Sequence, residues 1–385
     1  MDIGGSYEYS RIVLNSIVRV LNTLPHSVYL YSFSSLDSYF RVEDVHLLYV
    51  AVESGLIELA RTFPDLQFPG TEEADGFIIL DGVSVNFKCY DSLQPLINNP
   101  FSVLGFLFDT KKNKYLDLRS AYQNLKQSDL ALSLSPEYEL RSWRLLADAA
   151  ILVSRYHFDP PSFSLEPAGN AESFSAQDQR DLLTAVLTGR HPEKGLNLLL
   201  RDGFIEQYWP EIYSLDSISH NKEYHPEGNV WEHTLETFNY RKTADPVLSF
   251  GLLLHDIGKP QAEKNEGKQF DKHAQIGSRI AERFLRRLGF RESFIQDVSY
   301  LVHDHMIPAA VSKLPAYRTE KIMASPLFPL LLEVYRCDES STFRGPDNYY
   351  KACEKYRMFL KHNRNPYRTP DGKKVSRSYM ERAAT

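Results

Sequence analysis

At 385 residues the chain is too long for one small core and has room for two or three domains. Apolar residues make up 43% and charged residues 24%, and no stretch reaches the roughly 18 to 20 uncharged apolar residues of a membrane span, so the expectation is a globular cytoplasmic protein with no membrane partner. A net charge of −6 gives no global attraction for nucleic acid, which leaves any RNA contact to local basic patches.

The opening MDIGGSYEYSRIVLNS has an early acid and no basic segment followed by an apolar one, so it does not read as a secretory signal. Residues 1–125 mix the strand-like runs SVYLYSF, HLLYVAV, GFIILDGVSVNFKCY and VLGFLFDT with short helical patterns such as GLIELARTF, predicting a small α/β sheet domain. Cys89, Cys337 and Cys353 are odd in number and lie in no CxxC or CxxH spacing, which argues against a disulfide framework or a zinc knuckle.

From about residue 137 strands nearly vanish. EYELRSWRLLADAAILVSRY and DQRDLLTAVLTGR read as amphipathic helices, separated by the Pro/Ser-containing loop 157–175. A third region opens near 220 after DSISHNKEYHPEGN and stays helical to about 362. The tail from 363 carries Arg364, Arg368, Lys373, Lys374, Arg377 and Arg382 with Tyr367 and Tyr379 between them, a solvated terminus with phosphate contact as the alternative. The expected divisions are thus 1–125, 126–219, 220–362 and 363–385, in an α+β chain whose sheet precedes a mostly α-helical body.

Metal-ligand residue types collect in the third region. Seven of the twelve histidines fall within 220–305. The apolar helix ADPVLSFGLLLHDIGKP ends in His255-Asp256 and is stopped by Gly258 and Pro260. An acid and an imidazole at the end of a buried helix carry a large desolvation cost unless a partner such as a divalent cation meets them. His233 lies mid-helix in NVWEHTLETFNY and Asp338 follows FPLLLEVYRC, so separate helices can bring them to the same ion. His273 opens KHAQIGSRIAERFLRRLGF and His305 closes FIQDVSYLVHDH, candidates for a second ion. Lys259 is placed to meet a phosphate oxygen.

With these residues, the segment from NVWEHTLE to RCDE resembles an HD-superfamily domain, a family of helical metal-dependent phosphohydrolases, and HDIGKP is close to its motif. The run GRHPEKGLNLLLRDGFIEQYWPEI with HPEGNVWEHTLE is similar to the later part of bacterial tRNA nucleotidyltransferases, the CCA-adding enzymes that carry an HD domain. The resemblance implies a nucleotidyltransferase-like head before a helical neck and an all-α HD domain. It implies a principal metal on His233, His255, Asp256 and Asp338, with His273 and His305 as accessory ligands.

The same resemblance implies a head in which polymerase chemistry is degraded. Where the family writes VGGxVRDxLLG followed by DxD, this chain writes YSFSSLDSYFRVEDVH. Ser32 and Phe33 replace the paired glycines whose bare backbone approaches a triphosphate, Asp37 remains, and Leu36 replaces the arginine before it. The metal-binding acids map to Asp44 and His46, and the third acidic position falls near Asn86. Magnesium prefers hard oxygens in octahedral geometry, so His46 and Asn86 substitute poorly. The motif RRDFTINA becomes NNPFSVLG at 98–105, and Ala147, Asp148 and Ile151 occupy the arginine region of the nucleotide-reading helix.

The leading expectation is a metal-dependent phosphohydrolase acting as phosphatase, phosphodiesterase or nucleotidase, with a water of lowered pKa attacking phosphorus. Asp256, Lys259 and His273 are its expected catalytic residues. Histidine ligands favour one or two ions of manganese, nickel, cobalt, iron or zinc, with magnesium also open. The expected partners are a phosphoester or nucleotide substrate and tRNA or other RNA, and the oligomeric state is left open. The alternatives are a divergent tRNA nucleotidyltransferase, CCA-adding or poly(A) polymerase-like, with Asp37 and Asp44 as its remnant site, and a non-catalytic RNA-binding protein with a structural metal.

Overall fold

The computed structural model describes residues 15–42, 45, 47–68, 74–132, 142–165, 173–218, 228–263, 272–311, 313–314, 316–342 and 345–362. Asp44, His46, His220, His225 and the basic tail lie outside the described residues. The chain divides into two compact units, Met1–Leu140 and Arg141–Thr385.

The first unit is built on a six-stranded mixed sheet. Its strands are β1 (Val28–Leu30), β2 (Leu47–Val52), β3 (Gly76–Leu80), β4 (Val83–Cys89), β5 (Phe106–Asp109) and β6 (Lys114–Asp117), in the order β3-β4-β2-β1-β5-β6. Only β2 and β4 run parallel, with Tyr49 opposite Asn86. The β3–β4 hairpin closes through Asp81 and Gly82, both at positive φ (49° and 81°), the conformation that a two-residue turn needs to match strand twist. Alternation of side chains places Leu30, Val50 and Val85 in one apolar cluster and Tyr29, Ala51 and Leu107 in another, so both faces are covered.

Two local outcomes differ from the strand-like runs. SVYLYSF ends as a strand at Leu30, because Ser32 at φ 54° turns the chain into helix α1 (Phe33–Phe40). VLGFLFDT begins with a 3-10 turn, Ser102–Gly105, where a Cβ on Gly105 would meet the Ile97 carbonyl oxygen at 2.7 Å. The short, charge-flanked strand β6 is held by pairing with β5 and by Leu116, which packs against the second cluster. Helix α2 (Leu56–Thr62) buries Leu59 in the first cluster.

The second unit is helical among its described residues. Its principal helices are α3 (Trp143–Arg155), α4 (Ala176–Leu187), α5 (Pro192–Arg201), α6 (Val230–Asn239), α7 (Pro246–Leu254), α8 (His273–Arg287), α9 (Glu292–Asp304), α10 (Phe328–Ser340) and α11 (Asp347–His362). Side-chain caps mark several starts: Ser142, Ser175, Asn229 and Asp245 each accept a backbone N–H three residues on, satisfying donors that a helix end leaves open. Every residue of α7 is buried, the signature of a central core helix, and α4, α6, α9 and α10 pack around it. Arg241 braces this packing by donating to the Leu187 carbonyl, to the Gly189 carbonyl at 2.6 Å and to Ser249 Oγ at 2.6 Å. Among the described residues no helix is long and apolar enough to cross a membrane.

Ser32 holds a backbone conformation that costs a non-glycine residue of the order of 1 to 3 kcal/mol. Ser32→Gly is expected to stabilise the first unit by about 1 kcal/mol, read as a higher denaturant midpoint. An unchanged or lowered midpoint contradicts that strain.

Candidate metal centre

Five helices, and the turn after one of them, bring the six ligand candidates together. His255 is the C-terminal cap of α7 and Asp256 begins the turn after it, so both leave the core helix at its end. His233 projects from α6, Asp338 from the last turn of α10, His273 opens α8, and His305 caps α9. His233, His255, Asp256 and His305 are each at most 2% exposed.

The atoms fall into two donor groups, His233, His255 and Asp338 in one and Asp256, His273 and His305 in the other, each with its ligand atoms within 4.8 Å of one another. Asp338 Oδ1 lies 3.0 Å from His233 Nε2 and 4.0 Å from His255 Nε2. Asp256 joins the groups. Its Oδ2 is 3.2 Å from His255 Nε2 and 3.9 Å from His233 Nε2, whereas its Oδ1 is 3.5 Å from His273 Nε2 and 4.0 Å from His305 Nε2. The Nε2 atoms of His273 and His305 are 3.1 Å apart.

The outer hydrogen bonds set the tautomers. His255 Nδ1 donates to the Leu252 carbonyl at 2.8 Å, and His305 Nδ1 to the Val302 carbonyl at 2.7 Å. Ser341 Oγ donates to the Asp338 carbonyl at 2.7 Å and lies 3.3 Å from His233 Nδ1, which can then donate to it. These bonds turn Nε2 lone pairs inward, the usual second-shell arrangement around a metal. His255 Nε2 is fully buried without a hydrogen-bond partner, although it faces carboxylate oxygens. A lone pair facing a carboxylate is repulsive unless a cation lies between them, so this donor set fits a divalent ion.

Electrostatics agree. Burial works to raise the Asp256 carboxyl, but the neighbouring His255 and Lys259 hold it well below the usual carboxylate range. Burial likewise opposes ionisation of Asp338, yet a protonated His233 at 3.0 Å keeps it low, and with His233 neutral and its lone pair inward a bound cation would supply that positive charge instead. His305 is pushed down to about 4 by burial and by His255, and is therefore neutral and available as a ligand. Lys259 Nζ sits 2.5 Å from Asp256 Oδ2, at the edge of the cluster rather than in solvent.

Close backbone packing fixes the distance between the two groups. A Cβ on Gly258 would lie 2.0 Å from the His273 carbonyl oxygen and 2.6 Å from Gly277 N, so the turn after Asp256 rests on the first turns of α8. In the sequence Gly258 reads only as a helix stop. Its pairing with Gly277, and the roles of Ser341, Leu252 and Val302, needed the fold to become visible.

The first unit has its own cavity of about 480 Å³, whose walls include Tyr31, Ser32, Tyr90, Asp91, Asn98 and Asn99. Thus Ser32 and the two asparagines of NNPFSVLG share one concavity. Asp37 is buried in α1 at 3% exposure, and Asn86 Oδ1 accepts from Ser84 Oγ at 3.2 Å within β4.

Comparison with known proteins follows this division. Residues 230–338 match the HD domain family. The Multifunctional CCA protein of Shewanella denitrificans is 27% identical over 139 residues, covering 36% of this chain and 33% of that protein. The A-adding tRNA nucleotidyltransferase of Deinococcus radiodurans is 26% identical over 231 residues, covering 54% and 50%. The chain therefore spans between a third and a half of these relatives' length. Among solved structures, the Bacillus stearothermophilus CCA-adding enzyme in complex with CTP superposes with a TM-score of 0.56 at 11% identity, covering 91% of this chain and 82% of that one. A tRNA-processing enzyme in an apo form gives 0.52 at 13% identity, covering 94% and 92%. At these identities the likeness is one of fold.

Purified chain is expected to retain transition metal by elemental analysis, and His255→Ala to lose it; metal-free wild type after reconstitution contradicts the centre. Gly258→Ala is expected to cost about 2 kcal/mol or more and to lower metal content with it, since the added carbon drives the turn away from α8. Full metal content in that variant would show that the glycine contact does not set the cluster.

Proposed function

We propose that this chain, which carries an HD domain at residues 230–338, is a metal-dependent phosphohydrolase acting on a phosphoester or nucleotide. The observation that carries the reading is Asp256, whose two oxygens face two separate histidine groups across one buried carboxylate. His233, His255, Asp256 and Asp338 would hold one divalent ion, and Asp256, His273 and His305 another. A divalent ion in such a site lowers the pKa of a coordinated water and withdraws charge from phosphoryl oxygens.

The protein's own groups do the rest. The low carboxyl of Asp256 stays anionic and orients what binds beside it. Lys259, its side chain 11% exposed, holds Asp256 from one side while its ammonium meets incoming phosphoryl oxygens and neutralises charge that develops on them. The carbonyls of Leu252 and Val302 keep two imidazoles in a single tautomer and orientation, so little reorganisation accompanies reaction. Burial of His233, His255 and His305 limits bulk water at the cluster. The net reaction adds water across a P–O bond: its oxygen joins phosphorus, and a proton goes to the departing oxygen.

Activity against phosphatase, phosphodiesterase and nucleotidase substrates is expected to need divalent transition metal. Asp256→Asn should abolish it, and Lys259→Ala should lower kcat by about 100-fold. No metal-stimulated hydrolysis across the panel overturns the proposal.

A second reading has support in the A-adding and CCA relatives and in the head cavity that gathers Ser32, Asn98 and Asn99. Under it, the chain adds labelled CTP or ATP to tRNA with magnesium, and Asp44→Ala stops it. The substitutions at Ser32, His46, Asn86, Asn98 and Asn99 weigh against that activity, and absence of incorporation removes it.

A further inference from the structure

Helix α8 presents a basic face that the metal centre does not use. Lys272, just before it, and Gln275, Arg279, Arg283 and Arg286 along it are all exposed, at successive spacings of three, four, four and three residues. That rhythm places them in one stripe along the solvent side. The helix has a single acid, Glu282, which accepts from Ser299 Oγ at 2.7 Å at the packed edge. Arg286 is engaged by Glu292 at 3.1 Å, whereas Arg279 and Arg283 have no ion pair among the described residues.

The stripe runs to the chemistry. Lys272 and Gln275, at its start, also line a groove of about 400 Å³ together with His273, His303, Asp304, Met306 and Ile307; its one carboxylate, Asp304, is engaged by His303 Nδ1 at 2.6 Å. His273 belongs to the Asp256 and His305 donor group. One surface therefore continues from arginine stripe to groove to metal ligands.

We propose that this face of α8 is a track for a single-stranded polynucleotide, which delivers a phosphoester through the groove to the donor group at Asp256; the substrate class is an oligonucleotide. The inference rests on the phosphohydrolase reading for the chemistry, though not for the binding. Residues four apart on a helix advance about 6 Å, a spacing suited to consecutive phosphates of an extended strand. Arginine grips phosphate through a planar fork, and a stripe in which Arg279 and Arg283 are not matched by acids attracts a polyanion despite the chain's net negative charge. The groove's mixed lining of Met306, Ile307, Gln275 and His303 accommodates the nucleoside next to the scissile bond. A mononucleotide reaches the groove without touching Arg279 or Arg283, so only a longer strand profits from them.

The test uses the full metal-loaded chain and its Arg279→Gln/Arg283→Gln variant, with single-stranded RNA of about twelve nucleotides and a small phosphodiester as substrates. The ratio of kcat/KM on RNA to that on the small ester is expected to fall about tenfold in the variant, and the steep salt dependence on RNA to flatten by about one log unit per log unit of salt. An unchanged ratio in an active enzyme overturns the track while the hydrolase reading stands. Photocrosslinking of a 4-thiouridine-labelled RNA to the same proteins separates the two ideas if no ester is hydrolysed. A crosslink within 273–287 that the variant loses supports the track without the hydrolase, and no crosslink there overturns it.

Discussion

A carboxylate taken out of water at the end of a wholly apolar helix is the constraint on which the HD domain turns. Asp256 is 2% exposed, and an isolated anion at such a depth costs several kcal/mol even after the protein relaxes. Lys259 compensates one side of it. Facing it are imidazoles whose outward nitrogens are already spent on carbonyls, which leaves inward lone pairs that repel the same anion. Positive charge placed among these groups relieves both costs at once, and the surrounding helices hold the donors ready for it.

That arrangement depends on how the helices approach as much as on the ligands they carry. α7 is buried on all sides, so its end is fixed in the core instead of adapting to a ligand. The turn that follows lies against α8 so closely that Gly258 leaves no space for a side chain, and one at Gly277 would be tight against it. His273 is thereby brought to Asp256 by backbone contact. The same helix then turns its arginines outward, which couples the position of the cluster to the surface that approaches it.

The two units differ in what their side chains offer. The first is a mixed sheet with a backbone bend at Ser32, a bend natural to glycine and strained for serine. A cavity lies at that bend, with Asn98 and Asn99 among its walls. The second unit gathers six potential metal donors at the ends and faces of its helices. A fold alone does not supply chemistry; the side chains placed on it do.

Much of this was legible in the chain itself. Apolar periodicity located the long helices, alternation located most strands, and the His and Asp residues at or within the helices of 230–338 pointed to the six side chains that the fold brings together, because donor chemistry is a property of residue type. Strand β6 was hidden, since the short run Lys114-Tyr115-Leu116-Asp117, with charges at both ends, becomes a strand only through pairing with β5. The division of the six ligands into two groups bridged by Asp256 was hidden too, as were the carbonyls that orient His255 and His305 and the continuity of the α8 stripe with a groove. Those are relations between elements distant in sequence. Sequence determined which groups are able to bind a cation, while packing of α6, α7, α8, α9 and α10 decided their distances and the hydrogen bonds that set their tautomers.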